Sequence, residues 1–413
     1  MSPTSIDLFA GCGGLSLGLE RSGFRSVFVS ELHPSALETY LINRPDDWIH
    51  ERQNHIQDLL SLTQAEGELE ALARRLRNEF GDIDLVAGGP PCQGFSGIGH
   101  RRTFTVEREK IPSNHLYREM AKFIQVVGPK SFVFENVRGL LNSRWTPDGE
   151  AGEIWEDVQS AFRAIRVRKG RRVLSYRIQH KLLFAKDFGV PQNRPRVILV
   201  GLREDLCNAN SSSIDLLPVP DGVRAPDISE LLSDLVDPNW QPGGSTLQYL
   251  IEPRSQIQSE LRTHPGGQVL SKGAELLEQL YSKHSERTQS KFLYMLSNGG
   301  QVPIEYKTKK FAQRVLPAEW GASGPSVTVT SLPDDFVHYS QPRTPTVREW
   351  SRLQLFPDWY RFAGRRTTGG RRRAGDLSIE DWSRDLPKYT QIGNAVPVAL
   401  GQAIGSHLRK LLS

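Results

Sequence analysis

A chain of 413 residues exceeds the ~250 to 300 at which a single core usually stops growing, so two domains are expected. Its 38% apolar and 24% charged content excludes a disordered or fibrous protein, and no apolar run of about 18 residues offers a membrane span. The net charge of +5 and pI near 9.0 fit a polyanionic partner without demanding one.

Residues 5–9 read as a short buried strand, and because it starts almost at the amino end no signal peptide is expected ahead of it. Glycines within 11–14 turn the chain tightly into a helix over 15–20, a βα unit that leaves the first helical amides open to a ligand. The spacing departs from a dinucleotide fingerprint, which wants glycine or alanine where Ser16 stands. A second strand over 26–30 delivers Glu31 to its end, where a carboxylate either takes both hydroxyls of a ribose or simply meets solvent. Leu69, Leu72, Leu76 and Phe80 recur at helical spacing with charges between them, which predicts an amphipathic helix over 69–80.

The strand over 83–87 runs into Gly88-Gly89-Pro90-Pro91-Cys92-Gln93-Gly94-Phe95-Ser96, whose prolines fix the backbone that presents the thiol. Cys12, Cys92 and Cys207 are the whole cysteine complement and form no C-x-x-C pair. A disulfide framework and a cysteine zinc site are both disfavoured, no metal is expected, and Cys92 is either a small buried hydrophobe or a nucleophile. The strand over 131–134 ends on Glu135, which in a parallel sheet reaches the same crevice. Half-buried among apolar groups, its carboxyl has a raised pKa and can give a proton to a ring nitrogen; otherwise it is an ordinary capping acid.

Pro191-Gln192-Asn193-Arg194-Pro195-Arg196 precedes a further strand of the parallel sheet over 197–200. Alternation turns the guanidiniums of Arg194 and Arg196 to one side, a pair suited to a carbonyl, carboxylate or phosphate. Gln391-Ile392-Gly393-Asn394-Ala395-Val396-Pro397 opens what reads as the last helix. Strands alternating with helices predict an α/β fold with a doubly wound, mostly parallel sheet whose ligands gather at the carboxyl ends of the strands.

Between 203 and 341 helical periodicity weakens and Ser, Pro, Gly and Asn become frequent, as in a second, smaller domain. The segment 361–373 holds six arginines and no acid, and reads as a basic loop that either grips phosphates or is solvated surface.

Taken in order, the Phe9-Ala10-Gly11-Cys12-Gly13-Gly14 turn, Pro90-Pro91-Cys92-Gln93, Glu135-Asn136-Val137, Gln192-Asn193-Arg194-Pro195-Arg196 and Gln391-Ile392-Gly393-Asn394 resemble the DNA cytosine-C5 methyltransferase family of the bacterial restriction-modification type. The likeness runs through 1–202 and resumes over about 344–413, where it includes Thr346-Val347-Arg348-Glu349 and Arg352-Leu353-Gln354-Leu355-Phe356-Pro357-Asp358. One departure is the roughly 30-residue gap between that last segment and Gln391, longer than the family pattern.

The resemblance implies a catalytic and cofactor domain over 1–202, completed by 389–413, a target-recognition domain over 203–341, and a hinge segment with the basic loop over 342–388. It implies transfer of a methyl group from S-adenosyl-L-methionine to C5 of a cytosine flipped out of a specific double-stranded DNA sequence. Cys92 would attack C6 while Glu135 protonates or hydrogen-bonds N3, with Arg196 on the cytosine O2, Arg194 as its neighbour, and Gln93 and Ser96 lining the base pocket. The cofactor would lie against Phe9, Gly11, Cys12, Gly14, Glu31, Leu32, Asp58, Leu59, Pro91, Leu116, Asn394 and Ala395. Arg365, Arg366, Arg371, Arg372 and Arg373 would hold the DNA backbone.

A monomer in the bacterial cytoplasm, with no membrane contact and with a cognate restriction endonuclease as partner, completes the expectation. An amino-group methyltransferase is disfavoured by Cys92, because an exocyclic nitrogen needs no thiolate. A transfer-RNA cytosine methyltransferase has a smaller middle region, and a catalytically silent DNA-binding module would have lost the cysteine or the acid.

Overall fold

The first strand, β1 (Thr4–Leu8), is buried along its whole length and leads through the glycine turn into α1 (Gly14–Arg21). The structure is a computed structural model that describes residues 2–44, 46–91, 112–207, 214–220, 222–307, 313–367 and 386–413. Next come β2 (Arg25–Ser30), α2 (Pro34–Ile42), α3 (Asp47–His50), β3 (His55–Ile56), α4 (Leu59–Thr63), α5 (Glu68–Phe80) and β4 (Leu85–Gly88). They are followed by α6 (Leu116–Val127), β5 (Ser131–Val137), α7 (Glu153–Arg163), the hairpin β6 (Val167–Lys169) and β7 (Arg172–Leu174), β8 (Tyr176–Phe184) and β9 (Pro195–Arg203). The amphipathic helix predicted over 69–80 is α5, with Leu69, Leu72 and Leu76 buried.

Seven strands form one sheet in the order β3-β2-β1-β4-β5-β9-β8. The pairings among β3, β2, β1, β4 and β5 are parallel. The strand over 197–200, expected as another parallel member, belongs instead to β9, which runs antiparallel to both β5 and β8. A buried apolar run has the same composition in either direction; the direction here follows from β8 feeding β9 through a short connection.

Strand alternation sends side chains into two cores. Ile6, Leu8, Val86, Phe132, Phe134, Val197 and Leu199 pack with α5, α6 and α7 on one face. Leu85, Ala87, Val133, Ile198 and Val200 face the other, against α1 and residues from the end of the chain. The middle region contributes α8 (Ile228–Leu232), α9 (Gln256–Arg262), α10 (Glu286–Ser297) and the short parallel pair β10 (Arg314–Val315) and β11 (Phe336–Val337). Its Leu216, Leu231, Leu235, Tyr249 and Val329 join the second core beside Trp350 and Leu353.

After α11 (Val347–Arg352) the chain closes with α12 (Lys388–Asn394) and α13 (Val398–Leu412). The motif expected to open one last helix therefore ends α12, breaks at Ala395-Val396-Pro397 and starts α13, because proline favours the first turn of a helix and cannot continue one. α13 crosses α1 at backbone distance. A Cβ on Gly18 would lie 2.4 Å from the Gln402 amide nitrogen, and one on Gly401 would lie 2.8 Å from the Leu15 carbonyl.

Candidate active site

Because β1, β2, β3, β4 and β5 are parallel, the residues at or just past their carboxyl ends share one edge of the sheet: Phe9 and Gly11, Glu31, Asp58 and Pro91 beyond the strands, and Glu135 near the end of β5. The turn after β1 is made of positive-φ residues, Phe9 at 57°, Gly11 at 57° and Gly13 at 81°. Space for a Cβ is open at Gly11, so its glycine answers to conformation and to whatever approaches the backbone there. At Gly14, expected against the cofactor, a Cβ would lie 2.3 Å from the Val396 carbonyl oxygen, so helix packing alone demands glycine at that position. The start of α1 has no side-chain cap and no acid in its first turn, which leaves its amides for an anionic group.

Glu31 is buried, and each of its carboxylate oxygens accepts one backbone amide at 2.8 Å, Oε2 from Gly11 and Oε1 from His33. A carboxylate oxygen has two lone pairs, so one per oxygen remains for a pair of hydroxyls. Burial raises its pKa, an effect opposed by the two amides and by His33. Leu32, 60% exposed, flanks it, and the buried Leu59 follows Asp58, whose Oδ1 caps α4 through the Leu60 amide at 2.9 Å. Leu116 is half-buried at the start of α6. Asn394 is exposed with its Oδ1 accepting from Ser331, and Ala395 is buried beside Gly14. Cys12 is buried, its thiol donates to the Gln391 carbonyl at 3.4 Å, and burial pushes its pKa up to about 12; a thiol so held is inert. Tyr360 donates to the Cys12 carbonyl at 2.7 Å, fixing the turn from outside.

Past β4, a Cβ on Gly89 would lie 2.7 Å from Oε2 of Glu135, so glycine there lets the Pro90-Pro91 turn close over the acid. Asn136 Nδ2 donates to the Pro90 carbonyl at 3.0 Å and ties the turn to the end of β5. Arg196 lies diagonally across the β5–β9 ladder from Glu135, on the same sheet face. Its Nε is 2.6 Å from Glu135 Oε1 as a close ion pair, although the N–H is not aligned for a hydrogen bond. Both side chains are nearly excluded from solvent. Burial raises the Glu135 pKa, and Arg196 and Arg194 oppose that rise.

Arg194 precedes the strand and spends its terminal nitrogens on the Val329 and Gly393 carbonyls, at 2.8 and 2.6 Å. The two guanidiniums are therefore neighbours with separate duties: Arg194 joins the middle region and α12 to the site, and Arg196 holds the acid. The Nε atoms of both are buried without a hydrogen-bond partner among the described residues.

Cys92, Gln93, Ser96, Arg371, Arg372 and Arg373 lie outside the described residues. Arg366, expected on the DNA backbone, donates to the Leu280 and Tyr281 carbonyls at 3.2 Å, and Arg365 is exposed. Asn136 and Gln192, named in the sequence only as motif members with no role of their own, each tie the site together. The latter is buried, donates to the Leu353 carbonyl and to Gln354, and accepts from the Val329 amide. The signal was there: a polar amide immediately after a strand-end acid, and another two residues before a buried arginine.

Residues 4–410 match the family described as C-5 cytosine-specific DNA methylase, and the chain belongs to that family. It is a DNA cytosine-C5 methyltransferase. Among its relatives, the Type II methyltransferase M.DdeI of Desulfomicrobium norvegicum is 29% identical, over 98% of this chain and 88% of that protein. The Type II methyltransferase M.NgoMIV of Neisseria gonorrhoeae is 30% identical, over 100% and 99%. In three dimensions the chain is similar to a DNA modification methyltransferase encoded within an E. coli prophage, with TM-score 0.67 and 23% identity, covering 100% of this chain and 99% of that one. Among the described residues no helix is long and apolar enough to cross a membrane.

Proposed function

We propose that the protein methylates C5 of a cytosine flipped out of a specific double-stranded DNA sequence, with Cys92 as nucleophile, and serves as the modification half of a restriction-modification pair. The observation that carries this reading is the buried Glu135–Arg196 pair beneath the Gly89-Pro90-Pro91 turn, 2.6 Å apart. Carbon 5 of cytosine is a poor nucleophile until a thiolate adds to carbon 6. Glu135 meets the electron demand of that step by giving or sharing a proton with N3, and the Arg196 guanidinium is the donor for O2. Attack by the Cys92 sulfur forms the C6–S bond and turns C5 enamine-like; loss of the C5 proton after methylation returns electrons to the ring and expels Cys92.

S-adenosyl-L-methionine supplies the electrophilic methyl. The residues fit it: Glu31 keeps lone pairs for the ribose hydroxyls, and the uncapped start of α1 suits the carboxylate of its methionine part. The names of the relatives support the restriction-modification role and a partner endonuclease.

Incubation with S-adenosylmethionine and 5-fluorocytosine DNA containing the recognition site tests the covalent step. A denaturation-resistant complex that Cys92→Ser abolishes is expected, and its absence from the unaltered protein would sink the proposal. Bisulfite sequencing of DNA from expressing cells reads the modified base and its context.

A further inference from the structure

The β6–β7 hairpin lies on the side of the sheet away from the active-site crevice. Between Arg163 and Lys186 the chain carries nine cations and no acid, whereas 47 acids in 413 residues would place about three in such a stretch. Arg163, Arg166, Arg168, Arg171 and Arg172 are all exposed, and Val173, in the middle of β7, is 61% exposed. Lys169 and Arg172 sit directly opposite each other in the ladder, a like-charge pairing that weakens a hairpin and that folding alone has no reason to keep. Yet the hairpin is firmly seated. Val167 and Leu174 are buried beneath it, Arg166 donates its amide to Gln125 Oε1, and Lys169 pairs with Asp82 and Asp205. Among the described residues those two are its ionic contacts, so the remaining arginines stand as fixed, unneutralised charge.

The anchors give its place. Asp82 precedes β4, and Arg203, which also binds Asp82, ends β9 beside Lys130 at the start of β5. Arg196, in the active site, is seven residues back along β9, or about 23 Å at ordinary strand rise. A straight duplex that delivers a cytosine to the carboxyl edge of the sheet does not reach the opposite edge. A two-stranded ribbon is narrow enough for a major groove, and guanidinium forks match phosphate oxygens.

We infer that this hairpin is a second DNA-binding surface, which holds another duplex segment while the first occupies the active-site face, and so hands the enzyme from one segment to the next. The occupant is duplex DNA because the enzyme already works on that polyanion and the charge is complementary to it.

The test follows release of the full-length protein from a labelled short duplex of arbitrary sequence as unlabelled duplex is added. Direct handover makes the release rate climb with competitor, by about threefold or more over a tenfold rise in concentration, whereas simple dissociation is independent of competitor. The double variant Arg168→Gln/Arg171→Gln, which leaves Val167, Lys169 and Leu174 in place, should flatten that dependence and leave methyl transfer to a short cognate duplex within about twofold. The single variant Arg171→Gln, at the tip, should fall between, and serves alone if the double variant fails to fold. A release rate independent of competitor in the unaltered protein, or an equal dependence in all three, overturns the inference. Loss of methylation by the unaltered protein would count against the catalytic reading instead, since the release measurement needs no chemistry.

Discussion

Asn136 donates its side-chain amide to the carbonyl of Pro90 at 3.0 Å, so the strand that carries Glu135 also holds the Gly89-Pro90-Pro91 turn, which leads to the proposed nucleophile in the sequence. The Pro90 backbone and the Glu135 carboxyl are thereby tied to one strand. Replacing Asn136 with Ala should slow single-turnover methyl transfer by about tenfold to a hundredfold, since small displacements of aligned groups are costly. The affinity for S-adenosylmethionine should stay unchanged. An unchanged transfer rate would show that the prolines alone fix the turn.

Glu135 has its pKa raised by burial, against the pull of Arg196 and Arg194, so its proton survives to higher pH than on a free carboxyl. If the protonated form assists N3, transfer rates fall as pH rises through that elevated value. Glu135→Gln should lose about 10²- to 10⁴-fold in rate and lose that limb of the pH profile as well. A profile that keeps the limb assigns it to another group.

Arg352 bridges the middle region to α11. It meets Asp234 at 2.6 Å and Asp358 at 2.5 Å with every partner fully buried, and Arg262 shares Asp234 from the other side at 2.7 Å. Arg352→Met leaves carboxylates buried without their cation, and urea unfolding should register a loss of about 3 to 5 kcal/mol. A loss below about 1 kcal/mol would mean that Arg262 and Arg348 neutralise the pair unaided.

His338 makes the fold sensitive to acid. Its Nδ1 accepts from the Ser340 and Gln341 amides, so the ring proton is on Nε2, and burial with Arg343 nearby lowers its pKa to about 3. The unfolded chain binds that proton near pH ~6.5, so stability drains as pH falls from there toward 3, at up to about 1.4 kcal/mol per unit. Glu349 has its pKa held at about 2, because Arg343 and His338 outweigh the cost of its burial. It adds a second loss, between the unfolded value of ~4.3 and about 2. Denaturant titrations at pH 7 and 5 should differ, and His338→Asn should remove most of the difference. Equal slopes in both proteins would move the effect elsewhere.

The strand-end positions of Glu31 and Glu135 were legible in the sequence, because short apolar runs mark the strands and a parallel sheet gathers their carboxyl ends; the roles given to the two acids came from the family resemblance. The antiparallel direction of β9 was not legible, since Val197 and Leu199 look the same run either way. Nor was the separate work of Arg194, whose partners Val329 and Gly393 are remote in the chain. Gly14 shows the same limit from the other side: the glycine is visible, but the Val396 carbonyl that requires it is not.

The crossing of α1 by α13 also sets a schedule. Cys12 and its acceptor Gln391 are 379 residues apart, and Gly18 cannot meet Gly401 until everything between them exists. At about 5 to 20 residues per second, some 20 to 80 seconds of synthesis separate the two sides of the glycine turn. Throughout that interval α1 lacks the helix that covers it, and the glycine turn ahead of it lacks the Gln391 carbonyl that holds Cys12.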